Sequence, residues 1–292
     1  MDHLKKILRY FAQLILYPYK FLYGYYCIFI PSKNIKIVSP TFKQLNAARY
    51  AISNIQIKKW AEIFNDLNFK ENDLIIDVGG NLGYTSLQYY YATRTTARIM
   101  TFEPYIPNIK YIERNLSSTN IEIITLGLGD KNEKISIGFP EYTEEISNND
   151  DKNNTGRVSM INLSERVLSE KQSSCLVFKL DDLSKIFDIE KLFFIKVDIE
   201  GFETNFLKGA DNLINSQRPI LYMEINPTTL SNPKDDITFI KDFFENKNYN
   251  FYAYNKLIKS KINDEFKRTD LFFIPSEIDI SSDSKLKKFT FE

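Results

Sequence analysis

The chain reads as an α/β fold: a mostly parallel sheet with helices on both faces. Three observations lead there. Short apolar, β-rich runs recur from residue 74 onward, they are continuously apolar rather than alternating, and helical-period segments lie between the first of them. Strands covered on both faces have no solvent side, so they lose the alternation of a half-exposed sheet.

The strands fall at residues 74–78, 99–102, 121–126, 193–197 and 220–225. Pro107 starts a helix on which Ile109, Ile112 and Leu116 share one face. After the fourth strand, Phe202, Phe206, Leu207, Ala210, Leu213 and Ile214 mark one amphipathic helix packed on the sheet. A further helix near 237–244 precedes runs at 250–254 and 271–275, which pair as an antiparallel edge hairpin. The polar stretch between residues 134 and 180, rich in Asn, Asp and Ser at 147–154, reads as a loop or small β-excursion over the sheet edge.

Residues 10–30 carry one charge, Lys20, in an apolar and aromatic run. Its length matches a bilayer, yet Pro18, Lys20 and six tyrosines suit the headgroup level better than the hydrocarbon centre. Three readings stand: packing on the globular body or a second subunit of a homo-oligomer, peripheral docking at a membrane surface, and spanning. The chain thus divides into an extension, 1–45, and a domain, 46–292, bearing the 134–180 insertion.

Composition narrows the chemistry. The 292 residues hold 38 Lys+Arg and 38 Asp+Glu, which argues against a general nucleic-acid binder. One histidine, His3, lies in the tail, so a histidine base, a Ser-His relay and a multi-histidine zinc site are excluded from the core. Cys27 and Cys175 lack metal-ligand spacing and read as reduced thiols. The expected compartment is the cytoplasm, at the inner face of the membrane if the extension docks there.

The most informative stretch runs from Leu74 to Ser86. An apolar strand reaches Asp77, then Gly79, Gly80, Asn81 and Gly83 form a turn that opens a helix. A glycine-rich turn at a strand's carboxyl end lies where open α/β sheets bind cofactors. The dinucleotide pattern G-x-G-x-x-G fails, because Val78 takes its first position. Asp77 would repel a pyrophosphate and attract a ligand bearing ammonium and sulfonium groups, as S-adenosylmethionine (SAM) does. Glu103, at the end of the next strand, suits a ribose diol and fits NAD and SAM alike.

A second constellation is acidic. Asp198, Glu200 and Glu203 follow the fourth strand, and Glu224 and Asn226 end the fifth. In a parallel sheet they converge on the edge that holds the glycine turn. Glu200 and Glu203 also suit a plain helix N-terminus, where negative charge is favourable.

These segments resemble the FkbM family of SAM-dependent methyltransferases. The matching residues are Asp77-Val-Gly-Gly-Asn-Leu-Gly83, Phe102-Glu-Pro104, Leu180-Asp-Asp-Leu183, Ile195-Lys-Val-Asp-Ile-Glu-Gly-Phe-Glu203, Leu207-Lys-Gly-Ala210 and the strand ending at Glu224. Gly80 departs from the family, which more often has Ala. The resemblance implies a Rossmann-like class I methyltransferase with a seven-stranded sheet, and O-methylation of a sugar, glycan or secondary metabolite. It places Asp77, Gly79, Gly80, Asn81 and Gly83 at the methionine part of SAM, Glu103 at the ribose, and Leu128, Gly129 and Asp130 near the adenine.

With no core histidine, the acceptor hydroxyl must lose its proton to a carboxylate, and Asp198, Glu200 and Glu224 are the catalytic candidates, Asp198 first. A divalent cation such as Mg²⁺ on Asp198, Glu224 and Asn226 is the other route. Two competing readings are a nicotinamide-dependent oxidoreductase on the same architecture, which lacks a Tyr-x-x-x-Lys pair here, and a non-catalytic nucleotide-binding module. Phe139, Tyr142, Tyr222, Tyr252 and Tyr254 suit core packing better than sugar stacking.

Overall fold

The computed structural model describes residues 20–137, 173–254, 259–260 and 267–291. An N-terminal hairpin comes first: β1 (Tyr26–Ile30) and β2 (Ile35–Ser39) pair antiparallel around the turn Pro31–Lys33. Helices α1 (Phe42–Ala51) and α2 (Asn54–Asp66) follow, started by Thr41 and Ser53, whose side-chain oxygens accept the amide protons of Gln44 and Gln56.

The alternation expected of the body is then realised. It comprises β3 (Leu74–Val78), α3 (Tyr84–Ala92), β4 (Arg98–Phe102), α4 (Ile106–Asn115), β5 (Glu122–Ile124), β6 (Gly127–Leu128), β7 (Glu133–Ile137), β8 (Ser173–Phe178), α5 (Leu180–Leu183), β9 (Leu192–Val197), α6 (Glu203–Gly209), α7 (Asp211–Gln217), β10 (Ile220–Ile225), α8 (Pro233–Glu245), β11 (Tyr249–Tyr254), β12 (Lys259–Ser260), β13 (Thr269–Pro275), β14 (Leu286–Lys288) and β15 (Thr290–Phe291).

The main sheet has the order β14-β11-β13-β10-β9-β3-β4-β5. β10, β9, β3, β4 and β5 are mutually parallel, and β13 enters antiparallel between β10 and β11. The tail strands pair as expected, but β13 is interior and β14 adds an eighth strand at that edge. Successive residues of one strand enter different cores: Ile76 and Ile195 pack on one face with α6, α7 and α8, while Ile75 and Phe194 pack on the other with α1, α2 and α3. Burial on both faces is why the strands carry no polar alternation.

The single helix expected after β9 is two. α6 and α7 meet at Ala210, whose φ of −118° leaves the helical range. The break lets Gly209 pass against the Gly129 carbonyl, where an added Cβ would stand 1.8 Å from the oxygen. Phe206, Leu207, Ala210, Leu213 and Ile214 stay buried on both sides of it. In α4 the buried stripe is Asn108, Tyr111, Ile112 and Asn115, rotated from the expected one so that Ile109 is only partly covered.

The ends of the insertion pair antiparallel as β7 and β8, from Glu133↔Val177 to Ile137↔Ser173; Phe139 and Tyr142 lie outside the described residues. Residues 26–39 pack on the body. Asn115 on α4 accepts the Val38 amide proton at 2.7 Å and donates to the Val38 and Leu82 carbonyls, and the Tyr84 hydroxyl donates to Val38 O at 3.0 Å. Among the described residues no helix is long and apolar enough to cross a membrane. The part of the apolar stretch before residue 20 lies outside them.

Candidate active site

The site forms where β3, β4, β9 and β10 end. The turn after β3 folds back on β4, with the amides of Gly79 and Gly80 both donating to Phe102 O at 3.0 Å. Gly79 has φ +82°, and a Cβ there would stand 2.1 Å from the Asp198 carbonyl oxygen. A Cβ on Gly80 would stand 2.0 Å from Thr101 Oγ1. That hydroxyl occupies the space an alanine would need. Asn81 takes the left-handed conformation, φ 49°, and points its amide at Glu103.

Glu103 is 5% exposed. Its Oε2 accepts from Asn81 N at 2.7 Å and its Oε1 from Tyr105 N at 2.8 Å. Burial raises its carboxyl to about 7, against the pull of those two amides. A carboxylate has about four acceptor positions, so both oxygens keep capacity for donors such as a ribose diol. Beside it Asn108 donates to Asn81 Oδ1 at 3.1 Å, while its own buried Oδ1 makes no hydrogen bond. A buried acceptor without a donor signals a missing partner, and a nucleoside supplies one. On these features the residues fit the nucleoside of SAM.

Asp77 does not do what the sequence suggested. Its carboxylate is fully buried and turned into the protein: Oδ2 accepts from Ser86 Oγ at 2.5 Å, and Oδ1 lies 3.3 Å from Lys196 Nζ without a hydrogen bond. Asp77 and Lys196 are partners across β3 and β9, which sets both side chains on one face. Its charge is therefore met internally rather than offered to a cofactor. Lys196 also lies 3.4 Å from Asp198 Oδ2 and donates to Gly79 O at 3.2 Å. Burial alone would push this ammonium down, but Asp77 and Asp198 outweigh it and hold it above the usual lysine range.

Asp198 and Glu224 are brought together as expected. Both line a cavity of about 260 Å³, with Gln56, Lys59, Trp60, Thr85, Gln88, Tyr89, Lys196, Val197, Tyr222 and Asp270. Glu224 is raised to about 7 by burial and then by Asp198, although Arg268 pairs with it. Asp270, directly across the β10–β13 ladder from Glu224, is raised by desolvation and by Asp198, and its exposed tip at the rim tempers that shift. Tyr89 is fully buried, and its hydroxyl makes no hydrogen bond.

Glu200 sits in the turn after Asp198 at φ 51°, outside this lining. Glu203 is 3% exposed and accepts from the amides of Ile199 and Gly201; burial raises it to about 7. It braces the acidic turn from the first residue of α6, which has no side-chain cap, so the helix-capping role the sequence allowed is not the one seen. Asn226 accepts from the amide and hydroxyl of Thr228, closing its own turn. Among the described residues no group of three or more His, Cys, Asp or Glu side chains is arranged to hold a metal ion.

The three residues expected near an adenine make contacts within the fold. Leu128 is buried, Gly129 N donates to Phe178 O, and Asp130 Oδ1 accepts from Asn205 Nδ2 at 3.0 Å. Asp181 of the Leu-Asp-Asp-Leu motif serves the scaffold, since its carboxylate accepts from Asn212 N and Leu213 N and caps α7.

The FkbM methyltransferase domain model matches residues 77–251, more than half of the chain. The chain belongs to the FkbM methyltransferase family. AMB antimetabolite synthetase AmbE of Pseudomonas aeruginosa is 24% identical over 178 residues, 52% of this chain and 8% of that protein. Methyltransferase 1 of Beauveria bassiana is 24% identical over 152 residues, 49% of this chain and 61% of that protein. The chain thus spans less than two thirds of either relative. Among solved structures, the FkbM methyltransferase of Methylobacillus flagellatus KT is similar at 17% identity and a TM-score of 0.46, over 77% of this chain and 53% of that one. The FkbM segment holds the glycine turn, Glu103, Asp198 and Glu224; Gln56, Lys59, Trp60 and Asp270 reach the cavity from outside it.

Sequence reasoning missed Lys196, Tyr89, Lys59, Trp60 and Asp270. Lys196 left a signal, a lysine inside an apolar strand, since a buried ammonium requires carboxylates nearby. Lys59 and Asp270 left none.

Proposed function

We propose that the protein transfers the methyl group of SAM to a hydroxyl oxygen of a small polar acceptor, a sugar, glycan unit or secondary metabolite. One observation carries this reading: the turn that holds Glu103 is contiguous, through Thr85 and Tyr89 of α3, with a cavity lined by carboxylates. SAM supplies an electrophilic methyl group on a sulfonium. Glu103 holds the ribose, Asn81 and the glycine turn flank the methionine part, and residues 128–130 lie at the adenine. Because the sulfonium charge is extinguished in an in-line displacement, alignment supplies much of the rate.

The acceptor's proton goes to a carboxylate. Both candidates have a cation beside them, Lys196 at Asp198 and Arg268 at Glu224. Glu224 is the better matched because burial and Asp198 raise it to about 7 in spite of Arg268, and Asp198 orients the acceptor. The test compares Glu224→Gln and Asp198→Asn by S-adenosylhomocysteine release. Glu224→Gln should lower kcat by about two to four orders of magnitude with cofactor affinity unchanged. Wild-type turnover in Glu224→Gln would reject the assignment.

The aromatic extension fits peripheral membrane contact through residues 10–30. Phe21, Leu22, Tyr23 and Phe29 are exposed, more apolar surface than a short segment leaves open without use. Flotation with anionic liposomes should retain the full chain and lose the quadruple Ser variant of those four residues; equal partitioning would end the idea.

A further inference from the structure

The charges of this chain are unevenly spread. Residues 3–61 hold ten Lys and Arg and no Asp or Glu, whereas residues 62–292 hold 28 Lys and Arg against 37 Asp and Glu. Formal neutrality therefore joins a basic N-terminal module to an acidic body. The module lies wholly outside the FkbM segment, so the family match does not account for its charge.

Exposed apolar side chains gather in the same module. Among the described residues, six of the nine large hydrophobics left exposed fall there: Phe21, Leu22, Tyr23, Phe29, Tyr50 and Ile55. Contacts join the folded part of the module into one face. Phe29 and Lys36 are partners across β1 and β2 and both are exposed, so they stand together on one side of the hairpin. At the hairpin tip Lys33 donates to Asn54 Oδ1 at 2.9 Å, which brings in the start of α2 with exposed Ile55 and Lys58. Gln56 donates to the Tyr50 hydroxyl, which adds α1, where Lys43, Ala47 and Tyr50 form an exposed stripe at helical spacing. An open depression of about 580 Å³ between the tip and α2, lined in part by Lys33, Asn54 and Tyr91, lies beside Ile55. Glu62, the acid next along α2, is already met by Lys285 at 2.6 Å.

A partner must satisfy both the cations and the apolar side chains. A nucleic acid would neutralise the cations but leave Leu22 and Ile55 against phosphates. A second copy offers an acidic body, yet the body's exposed apolar residues, Ile106, Leu176 and Ile186, lie on separate segments and give such a patch little to match. An anionic bilayer meets both needs, since its headgroups attract Lys and Arg and its interface accepts Tyr, Phe, Leu and Ile. The same surface repels the acidic body, which sets the side that faces the lipid. Deepening the peripheral contact read for residues 10–30, but standing on different residues, we propose that the face built from the β1–β2 hairpin, α1 and α2 seats on the headgroups of an anionic membrane. Because α2 also lends Gln56, Lys59 and Trp60 to the cavity, the docked protein holds its acceptor site within one helix diameter, roughly 10 Å, of the lipid.

The experiment sediments the full chain with phosphatidylglycerol vesicles and, separately, with phosphatidylcholine vesicles. The chain should bind phosphatidylglycerol at least about tenfold more tightly, and high salt should remove most of that preference. Each cation at an anionic surface is worth roughly fivefold in affinity, so Lys36→Gln, Lys43→Gln and Lys58→Gln together should weaken binding at least about tenfold. That variant should keep its S-adenosylhomocysteine affinity within about twofold, which reports that it is folded. Wild-type vesicle binding by the triple Gln variant, or equal binding to the two lipids, would overturn the proposal. So would tighter binding of a single-stranded oligonucleotide than of vesicles, or a salt-sensitive dimer in light scattering that the triple Gln variant abolishes. A second variant, Phe21→Ser, Leu22→Ser and Tyr23→Ser together, separates the two membrane readings. Its wild-type binding would end the contact through residues 10–30 and leave this face standing, and a loss confined to it would do the reverse. No binding of the full chain to either vesicle would end both.

Discussion

Glu103 makes cofactor binding a proton-linked event. With no nucleoside bound, its buried carboxyl titrates at about 7 against an ordinary 4.5. At pH 6 it is therefore about nine-tenths protonated. A ribose diol donates two hydrogen bonds, which favour the anion and return the group toward its ordinary value. Binding at pH 6 should then release about 0.9 proton per site, and at pH 8.5 almost none. Calorimetry with S-adenosylhomocysteine in buffers of differing ionisation enthalpy measures this directly. Glu103→Gln should bind roughly ten- to a hundredfold more weakly and lose the proton release. Tight binding at pH 6 with no proton exchanged would refute the assignment of Glu103 to the ribose. The sign also bears on folding: a carboxyl raised in the folded state binds protons that the unfolded chain has released. Glu103 and Glu203 both lie at about 7, so the ligand-free protein should lose stability as pH rises from about 4.5 through 7.

Three substitutions probe the scaffold. Lys196→Met strands the buried Asp77 and should cost about 3–5 kcal/mol, on the order of 10 °C in Tm; adding Asp77→Asn should restore much of it, and additive losses in calorimetric scans would exclude the ion pair as the cause. Gly80→Ala should cost about 1–3 kcal/mol by urea denaturation, since its Cβ meets Thr101 Oγ1, and should be tolerated when combined with Thr101→Ala; an equal cost in both backgrounds would place the strain elsewhere. Asp181→Ala should lose about 1 kcal/mol of stability and leave kcat unchanged, because its carboxylate caps α7 and touches neither cavity nor turn; a fall in kcat at full stability would assign it a different role.

The strands of the parallel core were legible because each is buried on both faces and so appears as an unbroken apolar run. The glycine turn and Glu103 were legible for a related reason: strand ends in a parallel sheet share one edge, so residues far apart in sequence fall together once the strands are known. The direction of Asp77 was not legible. It depends on the β3–β9 register, which sets Lys196 opposite it, and no local pattern encodes that pairing. Asp270 and Lys59 come from segments that carry no motif, and they reach the cavity only because β13 inserts between β10 and β11 and α2 packs across the sheet. β14, three residues with two lysines, offers too little hydropathy to be read as a strand.

A crystal structure with S-adenosylhomocysteine tests the central claim most directly. The ribose hydroxyls should sit within hydrogen-bond distance of Glu103, the adenine beside residues 128–130, and the thioether sulfur should face the cavity of Asp198, Glu224 and Tyr89. A nucleoside bound away from Glu103, or a sulfur turned from that cavity, would contradict it.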